Sequence, residues 1–386
     1  MSSTSGTIVR RGGISRTIFI ISLVVVAAGS GLTGYFLPGI LHPSTSAATV
    51  TLNGAGSTFV FPLLSAMNTN YTRINPNIQI NYQGVGSGTG INDLSARTVD
   101  FGASDAPLSN SQIAGAQNAL TIPDTIGAVV VAYNIPSVPT GLKLTANVTA
   151  QIFEGVITIW NDSRIQNLNP GITLPQVGIN IVHRSDSSGT TFVFSGYLNA
   201  TFPVWTLGQS KTISWPSGSI GANGNPGVAA VVQGTKYAIG YVELAYALSA
   251  SPVLTYASLW NPAGQTYIAP SLSSTALAVS SLSSSYLPAG DAATSWQPIN
   301  LLNSQDPGAY PIVTFSYIMV YKELNIYSSS MTLTRAQDLV NYLWFVVHDG
   351  QNQAKPLNYV ALPQNVLSNA EATIRLITYS GQQLHA

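Results

Sequence analysis

The chain of 386 residues has no cysteine. That excludes a disulfide framework, a thiolate metal site, a cysteine nucleophile and a lipid-modified N-terminal cysteine. Charge is almost as scarce, because 14 Lys plus Arg and 14 Asp plus Glu amount to 7% of the residues, where ordinary globular chains carry roughly a quarter. A net charge of zero argues against nucleic acid, whose phosphate backbone calls for a basic surface. The four histidines, His42, His183, His348 and His385, are scattered, and neither His-x-Asp nor His-Glu-x-x-His spacing occurs. No catalytic metal and no cofactor is therefore expected. What the chain does have is 45% hydrophobic residues, enough for two domains with cores of their own. There is no internal repeat and no coiled coil.

The first 48 residues read as a signal or membrane-anchor segment. Arg10, Arg11 and Arg16 precede an uncharged stretch from Thr17 to Leu41 with its apolar centre at Ile18 to Ala28. Its length also allows it to span a bilayer, with the basic flank cytoplasmic and everything after Leu41 outside. Ser46-Ala47-Ala48 offers a weak cleavage site, so secretion and tethering both stay open. In an exported chain the tripeptides beginning at Asn70, Asn147, Asn161 and Asn199 are glycan acceptors, and the chain is expected to be a glycoprotein.

After this segment, short apolar runs alternate with glycine turns and helical spacing. Thr51-Leu-Asn leads to Gly54-Ala-Gly-Ser-Thr58, and a helix is expected to begin near Thr58 with Phe59, Leu63, Met67 and Tyr71 on one face. Ile78 to Tyr82 is a strand, Gly84 to Gly90 a turn into a second helix, and Val99 to Ala103 a third strand ending at Asp105. This alternation predicts an α/β fold. Gly127 to Ile135 and Pro311 to Val320 are apolar strands suited to crossing between two lobes, once in each direction. The expected division is 49–132 and 313–386 for lobe I, and 133–312 for lobe II. Within lobe II, Ile152 to Trp160 reads as helix, Val228 to Gln233 as helix and Ala238 to Val242 as strand. Residues 250–305 have no clear order, and helices near 334–348 and 364–378 close the chain.

The stretch from His183 to Phe192 organises the rest. A strand at 178–182 delivers Arg184, a turn and a helix N-terminus to one point. Ser188, Gly189 and Thr190 offer hydroxyls and unpaired N–H groups at the positive end of that helix. Together with Arg184 they suit an anion; the competing reading is a capped surface helix with an Arg–Asp pair.

Five segments, in order, carry a family resemblance: Gly54-Ala-Gly-Ser-Thr-Phe59, Asn81-Tyr-Gln-Gly-Val-Gly-Ser-Gly88, Val99-Asp-Phe-Gly-Ala-Ser-Asp-Ala-Pro-Leu108, Arg184-Ser-Asp-Ser-Ser-Gly-Thr190 and Ala238-Ile-Gly-Tyr-Val-Glu-Leu-Ala-Tyr246. The chain resembles the phosphate-binding subunits of high-affinity phosphate ABC transporters, strongly from Thr51 to Leu248 and more loosely beyond. The resemblance implies a type II periplasmic solute-binding fold, each lobe a mixed sheet flanked by helices, with two hinge crossings. It further implies an extracytoplasmic monomer that binds inorganic phosphate between the lobes and meets ABC permease subunits, without enzymatic activity. Its ligand contacts fall on Thr58, Phe59 (through the backbone N–H), Ser87, Asp105, Arg184, Ser188, Gly189 and Thr190, with Asp186 holding the arginine. The match departs at Ser57, Val60 and Phe61 and from about 248 to 308.

A carboxylate in an anion site makes sense if the anion keeps a proton to donate to it. Phosphate does and sulfate does not, so Asp105 should admit phosphate and arsenate and repel sulfate by about 4 kcal/mol at 4 Å and an effective dielectric near 20. Taken singly, Thr58 reads as well as an N-cap, Ser87 as a plain turn residue and Asp105 as a cap or an Arg184 partner. An exported phosphate-ester hydrolase, a phosphate sensor and a surface-layer glycoprotein are the alternatives.

Overall fold

The computed structural model describes residues 49–280, 282–288 and 296–384. The expected signal or anchor segment lies outside them. Three strand–turn–helix units come first: β1 (Val50–Gly56) and α1 (Phe61–Ile74), β2 (Ile78–Gly84) and α2 (Ser87–Ser95), β3 (Phe101–Ser104) and α3 (Asn110–Gly115). The strands β2, β1 and β3 lie parallel in that order. Parallel strands need helices over their faces, which is why apolar runs here alternate with helical spacing.

The next strand, β4 (Ala119–Tyr133), is buried along all 15 of its residues. The second part of the chain follows it: β5 (Lys143–Leu144), α4 (Ala146–Phe153), α5 (Ser163–Gln166), β6 (Asn180–Arg184), α6 (Gly189–Asn199), β7 (Ile220–Ala222), α7 (Gly224–Gly234) and β8 (Ala238–Glu243). Then come α8 (Leu244–Ser249), the short strands β9 (Thr255–Tyr256), β10 (Ser258–Asn261) and β11 (Thr266–Ile268), and α9 (Leu272–Ser280). β12 (Val313–Tyr321), α10 (Leu333–Val347) and α11 (Gln364–Ile374) return to the first part.

β4 joins the two parts because it changes partner midway. Ala119 to Ala128 pairs antiparallel with β12, and Val129 to Tyr133 pairs antiparallel with β8. The main sheet therefore runs β2-β1-β3-β12-β4-β8-β6-β7, with helices on its faces. This is the two-lobed α/β architecture expected from the sequence.

Three expectations need adjusting. β4 begins eight residues before Gly127 and contains Pro123, which the ladder tolerates because its register shifts between Ser316 and Tyr317, opposite it. Ile152 to Trp160 is not a helix. The helix there is α4, capped by Thr145, and Gly155 at φ +73° ends it before the apolar residues Val156 and Ile157 can continue it. Finally, α1 starts at Phe61 with Val60 in the cap position, so Thr58 is no helix cap. Pro62 sits in its first turn, where no N–H is missed.

Candidate functional site

The turns after β1, β2, β3 and β6 and the start of α7 meet where the two parts of the chain face each other. Each is held by backbone geometry before any side chain is considered. Gly86, at φ +95°, ends the turn before α2, and a Cβ there would stand 2.3 Å from Asp186 Oδ2. Gly189 opens α6, and its Cβ would meet Ser87 Oγ at 2.5 Å and Asp105 Oδ2 at 2.6 Å. These glycines let backbone from opposite parts come together. The Gly88 N–H donates to the Ser187 carbonyl across the same gap (2.9 Å).

Arg184 is buried at the end of β6. Its Nε donates to Asp186 Oδ1 (2.7 Å), its Nη2 pairs with Asp186 Oδ2, and its Nη1 donates to Thr190 Oγ1 (3.2 Å). The Arg184 N–H donates to the Tyr241 hydroxyl (3.1 Å), and the Tyr241 ring is itself stacked on Phe194 at 4.4 Å. An aromatic floor thus sets the arginine's height. Burial opposes the Asp186 charge, but the Arg184 hydrogen bond and charge outweigh it and hold that carboxyl below its ordinary value.

Asp105 follows β3 and is 2% exposed. Ser57 Oγ donates to its Oδ1 and Thr190 Oγ1 lies 3.5 Å from its Oδ2. The Asp105 N–H donates to Ser87 Oγ (3.3 Å). Burial pushes the carboxyl up to about 7, with Ser57 and the Arg184 charge opposing. A cavity of about 180 Å³, lined in part by Phe192, Gln297 and Thr314, reaches it from the side.

Ser188 caps α6, its Oγ accepting the Thr191 N–H (3.0 Å), so the Gly189 and Thr190 N–H groups stand ahead of the first intrahelical bond. Thr58 Oγ1 accepts both the N–H (3.0 Å) and the Nδ2–H (3.1 Å) of Asn225. The Phe59 N–H, expected to face the ligand, donates to Ser57 Oγ (2.9 Å). All eight expected ligand contacts and Asp186 therefore lie at one locus.

Sequence reasoning missed Ser57, which was noted only as a departure, and Asn225. Asn225 also donates to Thr190 Oγ1 (3.0 Å), so one amide ties the first turn to the α6 turn. Its signal was its place in the glycine turn Asn223-Gly-Asn-Pro-Gly227 that opens a helix. Lys211 was missed as well; its Nζ donates to Gln112 Oε1 (3.0 Å), linking the second part of the chain to α3. His183 stacks on Trp215 at 5.2 Å and contacts the Arg184 carbonyl, a packing role.

The chain matches the PBP superfamily domain over residues 42–348. Phosphate-binding protein PstS of Xylella fastidiosa (strain Temecula1) is 39% identical over 328 residues, covering 84% of each chain. This chain belongs to the PstS family. Its PstS relative from Methanocaldococcus jannaschii is 33% identical over 363 residues, covering 90% of this chain and 92% of the relative. Among solved structures, a high-affinity periplasmic phosphate-binding protein (PfluDING) bound with phosphate superposes with a TM-score of 0.65 at 19% identity, covering 84% of this chain and 93% of that one. The phosphate-binding protein of Stenotrophomonas maltophilia gives 0.64 at 17%, covering 86% and 95%. These two establish that the PstS family member shares their fold.

Proposed function

We propose that this PstS-family chain captures inorganic phosphate between its lobes outside the cytoplasm and delivers it to an ABC importer. The observation that carries this reading is the burial of Asp105 in the same site as Arg184, Ser87, Gly189 and Thr190. A small oxyanion has no apolar surface to bury, so affinity comes from directed hydrogen bonds, charge-assisted ones contributing roughly 1.5–3 kcal/mol each. Arg184, clamped by Asp186, supplies the cation. The Ser87, Thr58 and Thr190 hydroxyls and the N–H groups opening α6 supply neutral donors, which suits a chain so poor in basic residues. Phe59 joins them by turning its N–H from Ser57 Oγ to the ligand. Asp105 accepts the proton that phosphate retains.

We take residues 49–132 and 313–386 as lobe I and 133–312 as lobe II, with the lobes parting to admit phosphate. The monomer, its docking on permease subunits, and tethering or secretion through the first 48 residues belong to the same reading. So do glycans at the four sequons, of which Asn147 and Asn199 are exposed. A binder is favoured over a phosphate-ester hydrolase because the relatives are named as phosphate-binding proteins.

Titration calorimetry tests the proposal. Phosphate should bind the wild-type protein with micromolar or tighter affinity, and Arg184→Ala should weaken it at least a hundredfold. Failure of the wild type to bind phosphate, or turnover of a chromogenic phosphate ester, overturns it.

A further inference from the structure

Glu243 ends β8 and is fully buried, although the phosphate site described above makes no use of its side chain. Its N–H donates to Asn225 Oδ1 (3.0 Å), the same amide that holds Thr58 and Thr190. Its Oε2 accepts the Ala245 N–H (2.7 Å) and lies 3.1 Å from the Tyr359 hydroxyl. Its Oε1 has no polar partner among the described residues.

Tyr359 brings the first turn into this network. Its hydroxyl lies 2.6 Å from the carbonyl oxygen of Phe59, which can only accept. The single phenolic hydrogen is therefore committed to Phe59, and the contact with Glu243 needs a hydrogen supplied by Glu243. Were Glu243 ionised, two acceptors would compete for that one hydrogen, and the carboxylate would draw it away from Phe59.

We propose that Glu243 is a positioning residue, held as a neutral acid that donates to Tyr359 and so keeps the Phe59 turn in its binding form, and that its ionisation loosens the phosphate site. This rests on the phosphate reading above. The titratable groups facing Glu243 are Tyr359, Tyr246 and Asp105, all acids; burial and the Asp105 charge raise its carboxyl well above the ordinary value, while the Ala245 N–H and the Tyr359 contact oppose them. Tyr246 grips the neighbouring Thr58 carbonyl through its own hydroxyl (2.7 Å), so the two tyrosines hold the turn side by side.

Two measurements decide the matter. Infrared difference spectra of wild type against Glu243→Gln, taken near pH 7 without phosphate, should show the carbonyl stretch of a protonated acid. That band should move in Tyr359→Phe, which lacks its acceptor. A carboxylate band instead overturns the proposal whether or not phosphate binds. Phosphate affinity from about pH 6 to pH 9.5 gives the second arm. Glu243→Gln, which keeps a donor without a titrating proton, should match wild type within about threefold at the acid end and exceed it at least tenfold at the alkaline end. Parallel profiles, or a tenfold loss in Glu243→Gln at pH 6, overturn the proposal. A wild type that binds no phosphate at any pH refutes the phosphate reading instead, and the infrared spectra alone then decide whether Glu243 holds its proton.

Discussion

Arg184 is paired with Asp186, two residues along its own turn, and not with Asp105. The pair is almost closed to solvent, with side chains 1% and 9% exposed. Asp105 forms no ion pair among the described residues, and its oxygens meet the Ser57 and Thr190 hydroxyls. Under the proposed phosphate reading the two acids divide the work: Asp186 orients the cation, and Asp105 takes the proton brought by the ligand.

Asn225 should matter as much as any residue found from sequence. Its Nδ2 serves two hydroxyls and its Oδ1 accepts the Glu243 N–H. Asn225→Leu removes all three side-chain bonds and leaves a buried N–H unsatisfied, at roughly 1–3 kcal/mol for that group alone. Phosphate affinity should fall about a hundredfold and the melting temperature should drop. A variant with wild-type affinity in calorimetry would show that the amide only fills space.

Gly189 is one of the glycines at which the two parts of the chain approach closely. In Gly189→Ala the new methyl would fall 2.5 Å from Ser87 Oγ and 2.6 Å from Asp105 Oδ2, with the Asp105 backbone nitrogen at 2.8 Å. The α6 turn should then be held away from the turns that carry Ser87 and Asp105. Phosphate affinity should fall at least a hundredfold, and small-angle scattering should show no compaction on adding phosphate. Normal compaction would mean that the turn yields at little cost.

Stability should favour acid. Asp105 titrates near 7 instead of 3.8 in the folded chain, and burial raises Asp124 and Glu243 well above their ordinary values. A group whose folded pKa is raised lends stability that is complete below its unfolded pKa and is lost as pH climbs through the folded one. Asp105 alone accounts for roughly 3 kcal/mol between pH 5 and pH 8. Asp186, held below its ordinary value, acts in the opposite direction, but its contribution is lost only at pH values lower than this window. Calorimetric melting without phosphate should therefore occur at a higher temperature near pH 5 than near pH 8, and the reverse order would contradict the burial of these acids.

Much of this was legible in the chain because local rules and tertiary structure agree. The glycine turns after β1 and β2, the Ser188 cap and the apolar β12 each stand where spacing and composition put them. Pro123 hid the first half of β4, because its tolerance depends on a register shift in another strand. Gly155 cut short a helix whose apolar spacing continued beyond it. Asn225 has only the glycine turn around it as a local signal, and Ser57 and Glu243 carry no local signature of their roles. Each acts on a residue far away in sequence, as Asn225 does on Thr58 across 167 positions, and such partners appear only once the sheet has brought them together.

The central claim is that Asp105 reads the ligand's proton. Competition calorimetry with phosphate and sulfate near pH 8, on wild type and Asp105→Asn, tests it most directly. The wild-type protein should prefer phosphate by about a thousandfold, following the roughly 4 kcal/mol of like-charge repulsion at 4 Å, and Asp105→Asn should lose most of that preference while still binding an anion. Equal affinity of the wild type for both anions, or an undiminished preference in Asp105→Asn, would contradict the account.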